Sequence, residues 1–329
     1  MSDDIADFRT LRDFFRYAVS RFNAAGLAYG HGTDNALDEA AFLLLEALRL
    51  PIDRLDPFLD ARLTEQERAR LHELIDARIE TRKPAAYLLG CAYMHGSRFH
   101  VDERVIVPRS YIGEIIFGEA VQGATPALFD PREVHQVLDL CTGSGCLAIL
   151  AAEAFPHAVI DAVDLSPDAL EVARWNVRES RHAARITLIE GDLFVPVHGT
   201  RYDLILANPP YVSAAGMAAL PPEYRHEPGL ALSGGGDGLE IVRRILHEAP
   251  AHLGANGGLL CEIGTGRALL EAEFPRLPFT WLDTEASRGE VFWLGAHHFA
   301  APNPAPPLPR TRRRTPARAI GKRVRARRR

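Results

Sequence analysis

The chain has 329 residues, 47% of them hydrophobic and 25% charged, with a formal net charge of −5. That is enough chain for two folded domains of ordinary water-soluble composition. It excludes a membrane spanner, because no apolar run approaches the roughly 20 residues a bilayer requires. The acidic start, MSDDIADFRT, also excludes a secretory signal, so a cytoplasmic location is expected.

Residues 1–90 read as helical. In IADFRTLRDFFRYAVSRFNAAG the apolar positions Phe8, Leu11, Phe14, Phe15, Ala18 and Phe22 recur at spacings of three and four. LDEAAFLLLEALRL is a second such segment, starting after Asp34 and Asn35 and stopped by Pro51. A third, TEQERARLHELIDARIETR, carries Thr64 as N-cap and Glu67 at the capping-box position. Residues 91–110, CAYMHGSRFHVDERVIVPRS, change to β-rich alternation and suggest a hairpin-like connector between domains.

From 111 to 298 strands and helices alternate. VHQVLDL, HAVIDAVDL, ARITLIE, YDLILA, GGLLCEIG and EVFWLG read as strands. GCLAILAAEAF, SPDALEVARWNVRE and GLEIVRRILHEAPAHL read as the helices between them. This alternation predicts an α/β fold with a doubly wound, mostly parallel sheet. Cys91, Cys141, Cys146 and Cys261 form no CxxC pair and no zinc-spaced cluster, so reduced thiols and no metal are expected.

The strand ends carry the chemistry. After VLDL, with Asp139 near its end, come Cys141, Thr142, Gly143, Ser144 and Gly145, then a helix. Such a glycine turn lets a ligand approach the backbone closely. It is neither GxGxxG, since residue 148 is Ala, nor a Walker loop, so neither a pyrophosphate nor a triphosphate is favoured. The second strand ends at Asp164, nineteen residues after Gly145. An acid there can accept the hydroxyls of a ribose; alternatively it supports the helix start at Ser166. The third strand ends GDLF. Either Asp192 accepts from an exocyclic amine while Leu193 and Phe194 cover a flat base, or this is a polar turn with Phe194 in the core. Together the three ends suit a nucleoside without phosphates, and S-adenosylmethionine is such a ligand.

The fourth strand ends in Asn208, Pro209, Pro210 and Tyr211. Each proline restricts the residue before it to extended conformations, and neither has an N–H. The stiff segment presents two acceptors, the Asn208 side-chain oxygen and the Pro209 carbonyl, to a planar –NH2 group. Tyr211 adds a flat face. Such a nitrogen is a weak nucleophile, and hydrogen bonds to both of its N–H groups stabilise the charge it gains during attack. The alternative is a turn that merely ends a strand. RHEPGLALSGGGDGLE follows, in which Glu227 either lines a substrate groove or belongs to a plain turn.

DLCTGSG, AVDLS, GDLF and above all NPPY resemble class I S-adenosylmethionine-dependent methyltransferases acting on a planar nitrogen. The helical start, PAAYLLG and VDERVIVPRS resemble, more narrowly, the protein-(glutamine-N5) methyltransferases. The release-factor branch of that family usually reads PRPDTE after the connector. VIVPRSYIGEII and GHGTDNALDEA are instead similar to the branch that methylates large-subunit ribosomal protein 3. The likeness covers residues 1–298.

The resemblance implies a Rossmann-like, mostly parallel sheet of seven strands with one reversed, preceded by a small helical substrate-recognition domain. It implies domains at 1–90, 91–110 and 111–298. Asn208, Pro209, Pro210 and Tyr211 would bind the target glutamine, with Asn208, Pro209 and Tyr211 catalytic. Residues 141–145 would wrap the methionine part of the cofactor. Asp164 would take the ribose, Leu193 and Asp192 the adenine, Asp139 the amino group directly or through water, and Asn208 would border the cofactor. Pro108, Arg109 and Ser110 would frame the substrate entrance, although Arg109 read alone could equally be a surface ion-pair partner.

Residues 299–329 combine APNPAPPLP with ten arginines and one lysine, about +11, which leaves the rest near −16. This reads as a disordered basic tail, either a contact for ribosomal RNA or a solvated extension. Two other functions fit the motifs less well. Methylation of an exocyclic amine of DNA or RNA would want a basic body. A non-catalytic binding protein would not need NPPY intact.

Overall fold

The computed structural model describes residues 7–123, 128–285 and 287–300. The basic tail, and with it the expected RNA contact, lies outside the described residues.

The chain opens with α1 (Leu11–Ala24), α2 (Ala36–Ala47), α3 (Glu65–Thr81) and α4 (Ala85–Leu89). Each long helix starts where side-chain oxygens can satisfy free N–H groups. Thr64 and Glu67 form the expected capping box, Asn35 accepts from Leu37 and Asp38, and Thr10 with Asp13 forms a second box. The periodic face of α1 is buried at Leu11, Phe14, Ala18 and Phe22, against Leu43 and Leu44 of α2 and Leu71 and Ile75 of α3.

A hairpin follows, β1 (Cys91–Met94) with β2 (Ser97–His100). Strand structure stops there, and residues 101–110 run without regular secondary structure. Val101, Val105 and Val107 are nonetheless buried, against Ala86, Ala92, Ala169 and Val172. This small apolar layer joins the helical region to the sheet.

The remainder is α5 (Tyr111–Phe117), α6 (Glu119–Gln122), β3 (Gln136–Leu140), α7 (Cys146–Ala154), β4 (Val159–Asp164), α8 (Pro167–Glu179), β5 (Ile186–Glu190), β6 (Tyr202–Ala207), α9 (Ala214–Ala219), α10 (Gly229–Leu232), α11 (Glu240–His252), β7 (Leu253–Glu262), α12 (Arg267–Glu273), β8 (Thr280–Asp283) and β9 (Arg288–Gly295). The seven-stranded sheet has the order β5-β4-β3-β6-β7-β9-β8, with β9 antiparallel to both neighbours and the first five strands parallel. The expected reversed strand is therefore β9. The seventh strand, β8, is a four-residue edge whose side chains are only partly covered, so it lacks the apolar run that marks the others. Apolar cores fill both faces of the sheet. The chain order reverses between β3 and β6, and a doubly wound sheet opens its binding crevice beyond the carboxyl ends at such a point.

Candidate active site

Beyond the ends of β3, β4, β5 and β6 lies a cleft with about 880 Å³ of open space. Its wall includes Cys141, Gly143, Asp164, Asp192, Leu193, Asn208 and Pro210. Three of these residues hold the left-handed conformation: Cys141 at φ 59°, Gly143 at 56° and Leu193 at 47°. For Cys141 and Leu193 that costs about 1–3 kcal/mol each, and such strain gathers at ligand sites. At Gly143 a Cβ would meet nothing within 4 Å, so the position faces open space.

Asp164 ties this turn together. Its Oδ2 accepts from the Gly143 N–H at 2.8 Å and its Oδ1 from Ser166 at 2.9 Å. It does support the helix start, where the Ser166 hydroxyl caps α8. The Leu165 N–H also bonds it, and an ionised carboxylate has about four acceptor sites, so acceptor capacity remains for a ligand. Burial pushes this carboxyl above its ordinary range. Asp192 lies half-exposed on the wall and accepts from Arg244 at 2.9 Å.

Asp139, Thr142, Ser144 and Gly145 stand behind the cleft rather than on its wall. Asp139 is fully buried, takes the Thr142 hydroxyl on Oδ2 and leaves Oδ1 without a hydrogen-bond partner among the described residues. Burial pushes it up to about 7. The Ser144 carbonyl accepts from Asn176, and Gly145, at φ 78° and at the start of α7, has Ala173 so near that an added Cβ would come within 3.3 Å of it. Phe194 is in the core, stacked on His252 at 4.6 Å, so of the two readings of GDLF the aromatic half resolves to packing.

A second pocket adjoins the first, lined by Arg109, Asn208, Pro209, Tyr211 and Tyr224 among others. Asn208 belongs to both walls, while Pro210 faces the first and Pro209 the second. The Asn208 amide donates from Nδ2 to the Arg109 carbonyl at 3.2 Å. A carbonyl only accepts, so the nitrogen must face it and the oxygen is left for another donor.

Two acids behind this pocket carry little signal in the sequence. Glu262, 1% exposed at the end of β7, accepts the Tyr211 hydroxyl at 3.1 Å, the Ser110 hydroxyl at 2.8 Å and the Tyr111 N–H at 3.0 Å. Burial pushes it up to about 7. Its one sequence signal is a charge closing the apolar strand LLCE, which needs partners if buried. Glu227 does not line the groove. It sits behind Arg109 in a two-pronged ion pair at 2.6 Å per bond, and also accepts the Val107 N–H. Burial raises its pKa, but Arg109 and the nearby His31 outweigh that and bring it down to about 2. Arg109 thus lines the pocket and is also an ion-pair partner, within the fold rather than on its surface.

Residues 13–90 match the family model described as the PrmC N-terminal domain, and residues 125–220 match the Methyltransferase small domain. A relative from Bradyrhizobium diazoefficiens is 59% identical over 291 residues, 87% of this chain and 91% of its own. One from Bordetella pertussis is 56% identical, over 88% of this chain and 95% of its own. Another from Burkholderia pseudomallei is 53% identical, over 92% and 99%. All three are named ribosomal protein uL3 glutamine methyltransferase. The chain belongs to this family. It is a methyltransferase, and the family resemblance read from NPPY, VIVPRSYIGEII and GHGTDNALDEA is borne out at the level of the branch.

Proposed function

We propose that the chain transfers a methyl group from S-adenosylmethionine to the side-chain nitrogen of a glutamine in ribosomal protein uL3. The observation that carries the site assignment is the position of Asn208 on the seam between two pockets, one suited to a nucleoside and one to a target side chain.

The first cleft fits the cofactor in its donor set. Asp164 and Asp192 line it with Asp139 behind, and Arg104, which also lines it, is already paired with Asp102, which suits a ligand bearing a sulfonium and an ammonium. Asp164 would hold the ribose, the backbone at Cys141 and Gly143 the methionine part, and Leu193 with Asp192 the adenine. Bound there, the cofactor supplies an electrophilic methyl group.

The residues of the chain do the rest. Asn208 Oδ1 and the Pro209 carbonyl accept the two N–H groups of the target amide, and the Tyr211 ring covers its plane. These contacts orient a nitrogen that is a poor nucleophile in water and stabilise the positive charge it acquires. The proton is shed to water afterwards, so no base must act before attack. The helical region would read the protein around the glutamine. The basic tail would add contact with ribosomal RNA, seen as salt-dependent binding that disappears with the tail. The setting would be the cytoplasm.

The test is methylation with labelled S-adenosylmethionine in extract from cells lacking the enzyme, followed by separate protease and nuclease digestion. Label in the uL3 band that is lost with Asn208→Ala supports the reading. Label that resists protease and yields to nuclease would replace it with exocyclic-amine methylation.

A further inference from the structure

Asn208 has one contact that decides which way its amide points, the bond from Nδ2 to the Arg109 carbonyl. Turned over, the amide would present N–H groups to a target that also offers N–H groups. The placing of that carbonyl therefore decides whether the acceptor exists.

Residues 109–111 are held from two sides. On one side Glu227 grips the Arg109 guanidinium at both ends and the Val107 N–H two residues upstream. On the other side Glu262 takes the Ser110 hydroxyl and the Tyr111 N–H. The two acids come from separate elements, the loop before α10 and the end of β7. Glu262 also takes the Tyr211 hydroxyl, so the ring and the strip share one anchor. Glu227 has His31 of the helical region 3.6 Å away.

We propose that Glu227 and Glu262 are positioning residues which clamp 109–111 and thereby fix the orientation of the Asn208 amide. The inference rests on Asn208 being the acceptor for the target nitrogen. Glu227 is needed as a carboxylate, because it receives three N–H donors from Arg109 and Val107, whereas two of the three partners of Glu262 are hydroxyls that can donate or accept and so hold it in either protonation state. A glutamine at 227 would keep one oxygen for Val107 and turn its –NH2 toward the Arg109 guanidinium, whereas at 262 its –NH2 can donate to the Tyr211 hydroxyl, so alanine is the change that empties that anchor. His31 gives the helical region a contact with the same clamp, so a target seated there would bear on the strip that aims the acceptor.

The test uses the full chain, purified uL3 and labelled S-adenosylmethionine. Glu262→Ala and Glu227→Gln are compared with the unaltered enzyme in kcat, in KM for uL3, in cofactor Kd by calorimetry and in Tm. The clamp predicts kcat lower by roughly ten- to a hundredfold, the scale of a small misplacement of reacting groups. It predicts KM and cofactor Kd within about twofold, a split that general loosening does not produce. Glu262→Ala must also lower kcat in a Tyr211→Phe background, since two of the three donors to Glu262 remain there. Folded variants that keep kcat within about twofold, or that lose cofactor binding in proportion, overturn the clamp. If either variant fails to fold, Ser110→Ala gives the reading instead: reduced kcat supports the clamp and unchanged kcat overturns it. An unaltered enzyme inactive on uL3 while active on another target amide overturns the substrate reading and leaves the clamp to be judged on that target.

Discussion

The two pockets that meet at Asn208 are built on different principles. The cofactor-side cleft is a backbone structure. Its turn, its left-handed residues and its one central acid fall within a few residues of a strand end, and Asp164 mostly holds neighbouring N–H groups. The target-side pocket is held by side chains brought from far along the chain. Arg109 meets Glu227, 118 residues away, and Ser110 meets Glu262, 152 residues away. One site is written locally and tolerates exposure. The other depends on buried charges that are costly unless every partner is present.

The largest test of this contrast is Asn208→Ala, which strikes the shared wall. It should lower kcat by about 10²–10³-fold, the usual scale for losing one transition-state acceptor or donor. Cofactor affinity should change far less, because the cleft's own acids remain. Steady-state rates set beside calorimetric cofactor binding check this, and an equal loss in both would show that Asn208 serves the cofactor side.

Glu227→Gln separates the pockets by stability. It leaves the Arg109 guanidinium without its partner in a mostly buried place, and breaking such a pair typically costs about 3 kcal/mol or more. Arg109 retains some solvent contact, so the low end is expected. Urea denaturation reads it. A loss below about 1 kcal/mol would mean that the pair is far better solvated than its geometry indicates.

On the cofactor side, Asp164→Ala removes an acceptor whose bonds to a ligand are each worth about 1.5–3 kcal/mol. Cofactor Kd should rise at least about tenfold while kcat at saturating cofactor changes little. A fall in kcat with Kd unchanged would reverse the assignment of the two pockets.

The same contrast explains what was legible in the sequence. The glycine turn, Asp164 and NPPY announce themselves because each is a short signal after an apolar strand. Phe194 was ambiguous because an aromatic after a strand packs or stacks equally well, and only His252, from a helix some sixty residues on, decides it. Glu262 gave no motif, only a charge at the end of LLCE. Glu227 admits two readings in sequence, because its partner Arg109 lies across the fold. The strand β8 escaped for a related reason: a four-residue edge has too little apolar alternation to stand out. Local backbone chemistry shows in sequence, whereas the placing of buried charge follows from topology.

The finest test sets the two target-side acids against each other in pH. An ordinary glutamate titrates near 4.5. Glu227 is held at about 2 in the fold, so between about 2 and 4.5 the unfolded chain binds the extra proton. Its contribution to stability is complete above 4.5 and fades as pH falls toward 2. Glu262 is the reverse case. Burial raises it to about 7 against the pull of Ser110, Tyr111 and Tyr211, with Glu290 adding repulsion. The folded chain then binds the extra proton between about 4.5 and 7, so stability falls as pH rises through that window and levels off above it. For one proton the slope is at most about 1.4 kcal/mol per pH unit. Denaturation of the unaltered chain and of Glu262→Gln from pH 4.5 to 8 isolates it: the stability of the unaltered chain relative to the variant should fall as pH rises to 7 and then stay constant. A difference that is flat throughout would mean that Glu262 is ionised across the range, with the three hydrogen bonds outweighing burial.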